Sequence, residues 1–138
     1  MSTKSLLTIT ILLASLIAVI YLVLRPVVLT GRATGSSNSP ITLENSYLFA
    51  SPLQAKADGK EKIRITVFLL DGRGMGVANQ DIEITKNKSI NITDIQSLSD
   101  DSGKGVFDLT STNPGKFEIS AKANSKEIPQ KVKVTFIP

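Results

Sequence analysis

Leu6–Leu24 (LLTITILLASLIAVIYLVL) is a run of nineteen residues without a charge, and it limits this chain more than any other stretch does. As a helix it would extend about 28 Å, close to the roughly 30 Å hydrocarbon thickness of a bilayer. The β-branched residues Thr8, Ile9, Thr10, Ile11, Ile17, Val19, Ile20 and Val23 weaken a helix in water. In lipid, unpaired backbone groups cost so much that a single segment has no solution other than helix. Tyr21 and Arg25 suit the interface, and Pro26 stops the helix just beyond it. The expectation is a transmembrane signal-anchor helix over residues 6–25, in contact with membrane lipid and preceded by a short tail, residues 1–5. The competing reading is a cleaved signal peptide, whose apolar core is about 7–15 residues long and ends at a small-residue site. Here the core is longer and is followed by Arg25-Pro26-Val27-Val28-Leu29, which favours a retained anchor. Ala14 and Ala18 form a small-xxx-small pair through which two such helices can approach.

The formal net charge of +4 raises the question of nucleic acid, so its location matters. Lys4, Arg25 and Arg32 flank the apolar run, and from Ala33 onward 13 Lys and Arg face 12 Asp and Glu, a balance of +1. The excess is juxtamembrane, no basic cluster is interleaved with aromatics, and no nucleic-acid partner is expected. The positive-inside count sets Lys4 and the α-amine against Arg25 and Arg32, nearly a tie that leans slightly toward a cytoplasmic C-terminus.

Residues 26–40 read as a flexible linker. Within it Gly31–Pro40 (GRATGSSNSP) is polar, rich in Gly and Ser, and lacks any period. A tether of this composition spans roughly 15–20 Å between its ends.

From Ile41 the hydrophobic period is two rather than 3.6, which predicts strands. Ser46–Ala50 is a short first strand, ended by Pro52 at an edge position. Ile63–Leu70 is the strongest, with Ile63, Ile65, Val67 and Leu69 on one face; Phe68 and Leu70 make its end apolar on both sides, as in a central strand. Asp81–Lys86 returns with Ile82 and Ile84 inward, Ile90–Ile95 reads as an edge, and Val106–Thr110 carries Phe107 and Leu109. Lys116–Ala123 alternates throughout, with Phe117 and Ile119 inward. Lys131–Phe136 repeats the pattern with Val132, Val134 and Phe136. The breaks between them are turns: Asp71–Gly76 with Gly72 and Gly74, Asp100-Asp101-Ser102-Gly103, and Asn113-Pro114-Gly115. Seven short strands without a helical stretch give an all-β, Ig-like antiparallel β-sandwich over residues 41–138. A closed barrel is the alternative, disfavoured by Pro52 and Pro129 near edge strands. The Cys and Trp of antibody-type domains are both missing.

These residues carry a family resemblance. Ala57-Asp58-Gly59-Lys60 leading into Ile63–Val67, then Asp71-Gly72-Arg73-Gly74 with Val77 and Ile82-Glu83-Ile84, resembles the front half of a bacterial Ig-like domain of the Big-1 group, the repeats found in invasin and intimin. Ser99–Gly105, Leu109–Thr112, Pro114-Gly115-Lys116-Phe117 and the run to Ala123 continue it, so that it covers Ser46–Phe136. The turn residues Asp71, Gly72, Gly74, Asp100, Asp101, Gly103 and Gly115 bear most of the likeness. The resemblance implies an extracytoplasmic domain that acts by binding.

No histidine and no cysteine are present, which excludes a disulfide framework and imidazole or thiolate metal sites. A nucleophile would have to be Ser with Lys as base, and no G-x-S-x-G elbow exists. No catalytic residue, cofactor or metal is therefore expected. Asp58, Asp71, Asp94, Asp100 and Asp101 sit in or beside turns; such oxygens can hold Ca²⁺, but Asp in a turn more often caps its own backbone. Asn87-Lys88-Ser89 and Asn91-Ile92-Thr93 are glycosylation sequons. A Lys–Asn isopeptide crosslink is disfavoured by lysines on outward faces. The functional expectation is a membrane-anchored binding module with an unidentified protein partner at the cell envelope. A structural subunit of a membrane assembly is the alternative and an anchored Ser/Lys hydrolase the least favoured.

Overall fold

The computed structural model describes residues 13–16, 39–85 and 87–138. The chain divides into two units, Met1–Arg32 and Ala33–Pro138. In the first, residues 13–16 are helical and exposed. Apart from these four residues, the expected span Leu6–Leu24 and nearly all of the linker lie outside the described residues. Among the described residues no helix is long and apolar enough to cross a membrane.

The second unit contains ten strands: β1 Tyr47–Ser51, β2 Gln54–Lys56, β3 Ile63–Phe68, β4 Ile82–Ile84, β5 Asn91–Gln96, β6 Lys104–Thr110, β7 Gly115–Ile119, β8 Ala121–Ala123, β9 Lys126–Glu127 and β10 Val132–Ile137. One layer is a four-stranded sheet in the order β1-β3-β6-β5. The other consists of β2-β10-β7 and β4-β8-β9. Strand β2 runs parallel to β10, and every other pairing is antiparallel.

The ten strands are the seven expected, one of them divided in two, with two short strands, β2 and β9, where none was expected. The first strand crosses between layers at Ser51-Pro52, a cis peptide bond, so that β1 pairs with β3 and β2 with β10. Lys116–Ala123, expected to be one strand, breaks at Ser120, which is buried and donates its Oγ hydrogen to Thr85 Oγ1 at 2.8 Å. Strand β9 precedes the expected last strand, now β10, and Pro129 lies between them. Pro129 lies two residues beyond β9, an edge strand of the β4-β8-β9 sheet, as expected of a proline near an edge, and precedes β10, which lies between β2 and β7. Strands β1 and β5 are the free edges of the first sheet, which leaves the sandwich open.

Side chains alternate across each strand, and the inward sets merge into one core. From the first sheet come Leu48, Ile63, Ile65, Val67, Phe107 and Leu109; from the second, Ile82, Ile84, Ile119, Ala121, Val134 and Phe136. Leu69 is also fully buried. Phe117 and Val132, expected inside with these, are only partly buried and pack against the margin of the core. Phe117 meets Phe136 edge-on, with ring centroids 6.1 Å apart. Val77 and Ile128 are completely buried although they lie outside the regular strands.

Candidate protein-binding face

The turn residues form two copies of one device. In Asp71–Met75 the Asp71 carboxylate Oδ1 accepts the N–H groups of Arg73 and Met75, each at 2.9 Å, and Gly74 N–H returns to Asp71 O. In Asp100–Lys104 the Asp100 Oδ1 accepts the N–H groups of Ser102 at 2.9 Å and Lys104 at 3.0 Å, and Gly103 N–H returns to Asp100 O. Gly74 and Gly103 hold φ angles of 78° and 77°, a region that favours glycine. The loops lie against each other: a Cβ added at Gly76 would run into the Ser102 carbonyl, and one added at Gly103 into Leu69 O.

The loop N–H groups hold the Asp71 carboxyl below its ordinary pKa, chiefly through Met75, with Arg73 adding to the effect. At Asp100 burial acts to raise the pKa and is outweighed by the Ser102 hydroxyl and the Lys104 and Ser102 N–H groups. Asp58 is lowered in the same manner by the N–H groups of Glu61 and Lys60. These carboxylates thus serve their own backbones. Asp101 is exposed, Asp94 lines the groove between β4 and β5, and Gly115 opens β7. Among the described residues no group of three carboxylates is arranged to hold a metal ion.

The outer face of the first sheet is different in character. Opposite the inward Leu48, strand β1 presents Tyr47 and Phe49, which are 40% and 45% exposed. The register sets Tyr47 beside Phe68 and Phe49 beside Thr66. The Phe68 ring stacks on both aromatics, with centroids 5.3 Å from Tyr47 and 6.3 Å from Phe49. Val106, paired with Thr66, continues the patch toward β5, where Ile95 stands 52% exposed at a β-bulge. The chain has five Phe, two Tyr and no Trp, and Tyr21 belongs to the N-terminal run, so three of the six remaining aromatics are on this one face. Covering Tyr47 and Phe49 would remove on the order of 100 Å² each from water, about 2 kcal/mol apiece. Exposed apolar patches with polar rims are a mark of protein contact sites.

Beside the patch, Arg64 and Asp108 face each other across β3 and β6. Arg64 Nε donates to Asp108 Oδ1 at 2.8 Å and Nη2 to Oδ2 at 3.1 Å, while Lys62 Nζ reaches Oδ2 at 3.4 Å. The Asp108 side chain is 2% exposed, and its pKa is lowered first by the Arg64 hydrogen bonds and then, against the opposing effect of burial, by the charges of Arg64 and Lys62.

Sequence reasoning finds the turn loops, because Asp and Gly announce them, and misses this face. In the sequence Phe68 reads as the apolar end of a central strand. The usable signal is the alternation of Tyr47 and Phe49 around Leu48, which puts two aromatics on the side away from the core.

The bacterial Ig-like domain (group 1) family matches residues 45–137. No curated protein matches the chain. Among solved structures, the Yersinia pseudotuberculosis adhesin InvE superposes with a TM-score of 0.64 at 22% identity, over 75% of this chain and 29% of that one, a likeness of fold. Invasin, described as a bacterial integrin-binding protein, gives a TM-score of 0.58 at 28% identity over 71% of this chain and 20% of its own. A C-terminal fragment of intimin, solved with the intimin-binding domain of the translocated intimin receptor, gives 0.56 at 29% identity over 71% and 33%. This chain spans a third or less of each of these structures. With the family matched over most of its length and the sandwich in place, the chain belongs to the bacterial Ig-like domain (group 1) family, Big_1.

Proposed function

We propose that this protein is an adhesion-type Ig-like module, held at a membrane by Leu6–Leu24 with its sandwich on the extracytoplasmic side, and that it binds protein through the outer face of the β1-β3-β6-β5 sheet. The observation that carries the binding role is the stacked, exposed Tyr47–Phe68–Phe49 cluster on a domain with few aromatics. The anchored reading is supported by the nineteen uncharged residues, and the extracytoplasmic side by the family, whose matched structures include adhesins. Invasin is described as integrin-binding and the intimin fragment is bound to a domain of its receptor, which accords with a protein partner here.

The experiment combines fractionation with modification. The chain has no cysteine, so a Thr66→Cys variant, on the inner strand β3 between Phe49 and Val106, carries a single thiol at the centre of the face and leaves the aromatic cluster in place. In intact cells an impermeant maleimide should label it only after a competing partner is stripped away, and carbonate-washed membranes should retain the protein. A soluble protein after carbonate would overturn the anchor. Immediate complete labelling, unchanged by detergent, would overturn the occupied face.

A further inference from the structure

The stacked aromatic face is not electrically uniform, and its two ends differ in sign. At one end Lys62 and Arg64 share the single carboxylate of Asp108, leaving one positive charge in excess, and both cationic side chains remain more than half exposed. At the other end Lys104 pairs with Asp100 at 3.7 Å, and the neighbouring Asp101 is exposed with no ion pair among the described residues, leaving one negative charge in excess. The aromatic patch lies between them, since β3 runs from Arg64 to Phe68 and β6 from Lys104 to Asp108.

We propose that the occupant of this face is the same face of a second copy of the chain, packed about a two-fold axis that sets the strands of the two sheets antiparallel. This rests on the reading of the face as a protein-binding surface and names its partner. A two-fold axis lying in the interface and crossing the strands apposes the Lys62–Arg64 end of one copy with the Asp101 end of the other, twice, and brings the two aromatic clusters together. A parallel arrangement would place like ends together, so charge selects the antiparallel one. Isologous contact also requires a self-complementary patch, and this one supplies both signs and the apolar centre from a single sheet.

Size sets the strength. Four strands about 4.8 Å apart and six residues long cover roughly 400 Å² of sheet per copy, about 800 Å² for the pair, which is below a standard specific interface and in the range of weak, transient contacts. Such a contact is weak in dilute solution and becomes effective when many copies are held on a surface. Direction follows from where the chain joins the domain. Thr42 N–H donates to Leu70 O at 2.8 Å and the Asn45 amide to Asp71 O at 3.0 Å, so the chain comes in at the Asp71 and Asp100 end. In an antiparallel pair Thr42 and Asn45 of the two copies therefore lie at opposite ends, and vesicle clustering reads pairing between copies held on different vesicles.

The test uses the full-length chain reconstituted in lipid vesicles, with carbonate extraction scoring insertion separately. Vesicles bearing the wild type should cluster without any other protein. Phe49→Ser, which removes an exposed ring, and Asp101→Lys, which makes both ends positive, should each weaken clustering about tenfold or more. Far-UV circular dichroism and the melting temperature confirm that each variant is folded, and Tyr47→Ser replaces Phe49→Ser if it is not. Dispersed wild-type vesicles carrying inserted protein would overturn self-pairing while leaving the anchored module standing. Clustering that survives both substitutions would overturn the face. Protein removed by carbonate would count against the anchor alone, and self-association of that soluble chain, with the same two variants, would then decide the pairing.

Discussion

Gly74 and Gly103 have the same backbone conformation and very different surroundings. Both have φ near 78°, but a Cβ at Gly74 meets nothing, whereas one at Gly103 collides with Leu69 O. Gly74→Ala should therefore lower stability by about 1 kcal/mol, the cost of a side chain in the left-handed region, and Gly103→Ala by about 3 kcal/mol or more, because backbone must move. Urea midpoints of the two variants check this; equal losses would contradict the interlock of the loops. Asp108 is the other residue on which much depends. It is buried, doubly bonded to Arg64 and held ionised, so Asp108→Asn should lower stability at pH 7 by about 1–2 kcal/mol, discounted because its partners are half in water. Asp58, Asp71, Asp100 and Asp108 are all depressed in the folded state. The stabilisation they provide is complete above the unfolded value of about 4 and is lost as pH falls through the lower folded-state values. Urea midpoints measured from pH 7 to pH 2 should be flat at first and then fall below about pH 4, less steeply in Asp108→Asn than in the wild type. The Asp and Gly of both turns were legible in the sequence because those residue types have few other uses together. The Arg64–Asp108 pair was not, because a charged residue in an alternating strand reads as solvated until its cross-strand neighbour is known.

Strands β3 and β6 hold the domain together. They pair over six residues, and their inward side chains Ile63, Ile65, Val67, Phe107 and Leu109 are completely buried. β9 is two exposed residues beside a break, and β5 is an edge with a bulge. In native-state hydrogen exchange the amides of Ile65, Val67, Phe107 and Leu109 should exchange last, at the global unfolding limit, and those of Lys126 and Glu127 among the first. Uniform protection would contradict this division. Period-two alternation was enough to locate β1, β3, β5, β6 and β10 to within one or two residues. It did not show β2 and β9, which are too short to carry a period. Nor did it show the break at Ser120, since a strand that changes partners keeps its alternation while its hydrogen bonds pass from β10, the partner of β7, to β4, the partner of β8. Only the neighbouring chain at Thr85 reveals it.

At the scale of the whole molecule, one sandwich is joined in sequence to a long apolar run, and the outer face of its larger sheet is the proposed binding surface. The antiparallel pairing and the occupied face both depend on that surface. Both are tested on outward-facing residues, Phe49 for the pairing and Thr66 for the occupied face, whose replacement leaves the core untouched. The sequence by itself determined the all-β class, the family, the turn chemistry and most of the core, because each of these depends on residue type at short spacing: a period of two, Asp and Gly at a reversal, an uncharged run of bilayer length. Only the tertiary structure decided which strands are neighbours, that Phe117 and Val132 lie at the core's margin, and that Tyr47, Phe49 and Phe68 meet. Those depend on long-range register, and register joins residues from about a dozen to many tens of positions apart that no local pattern relates.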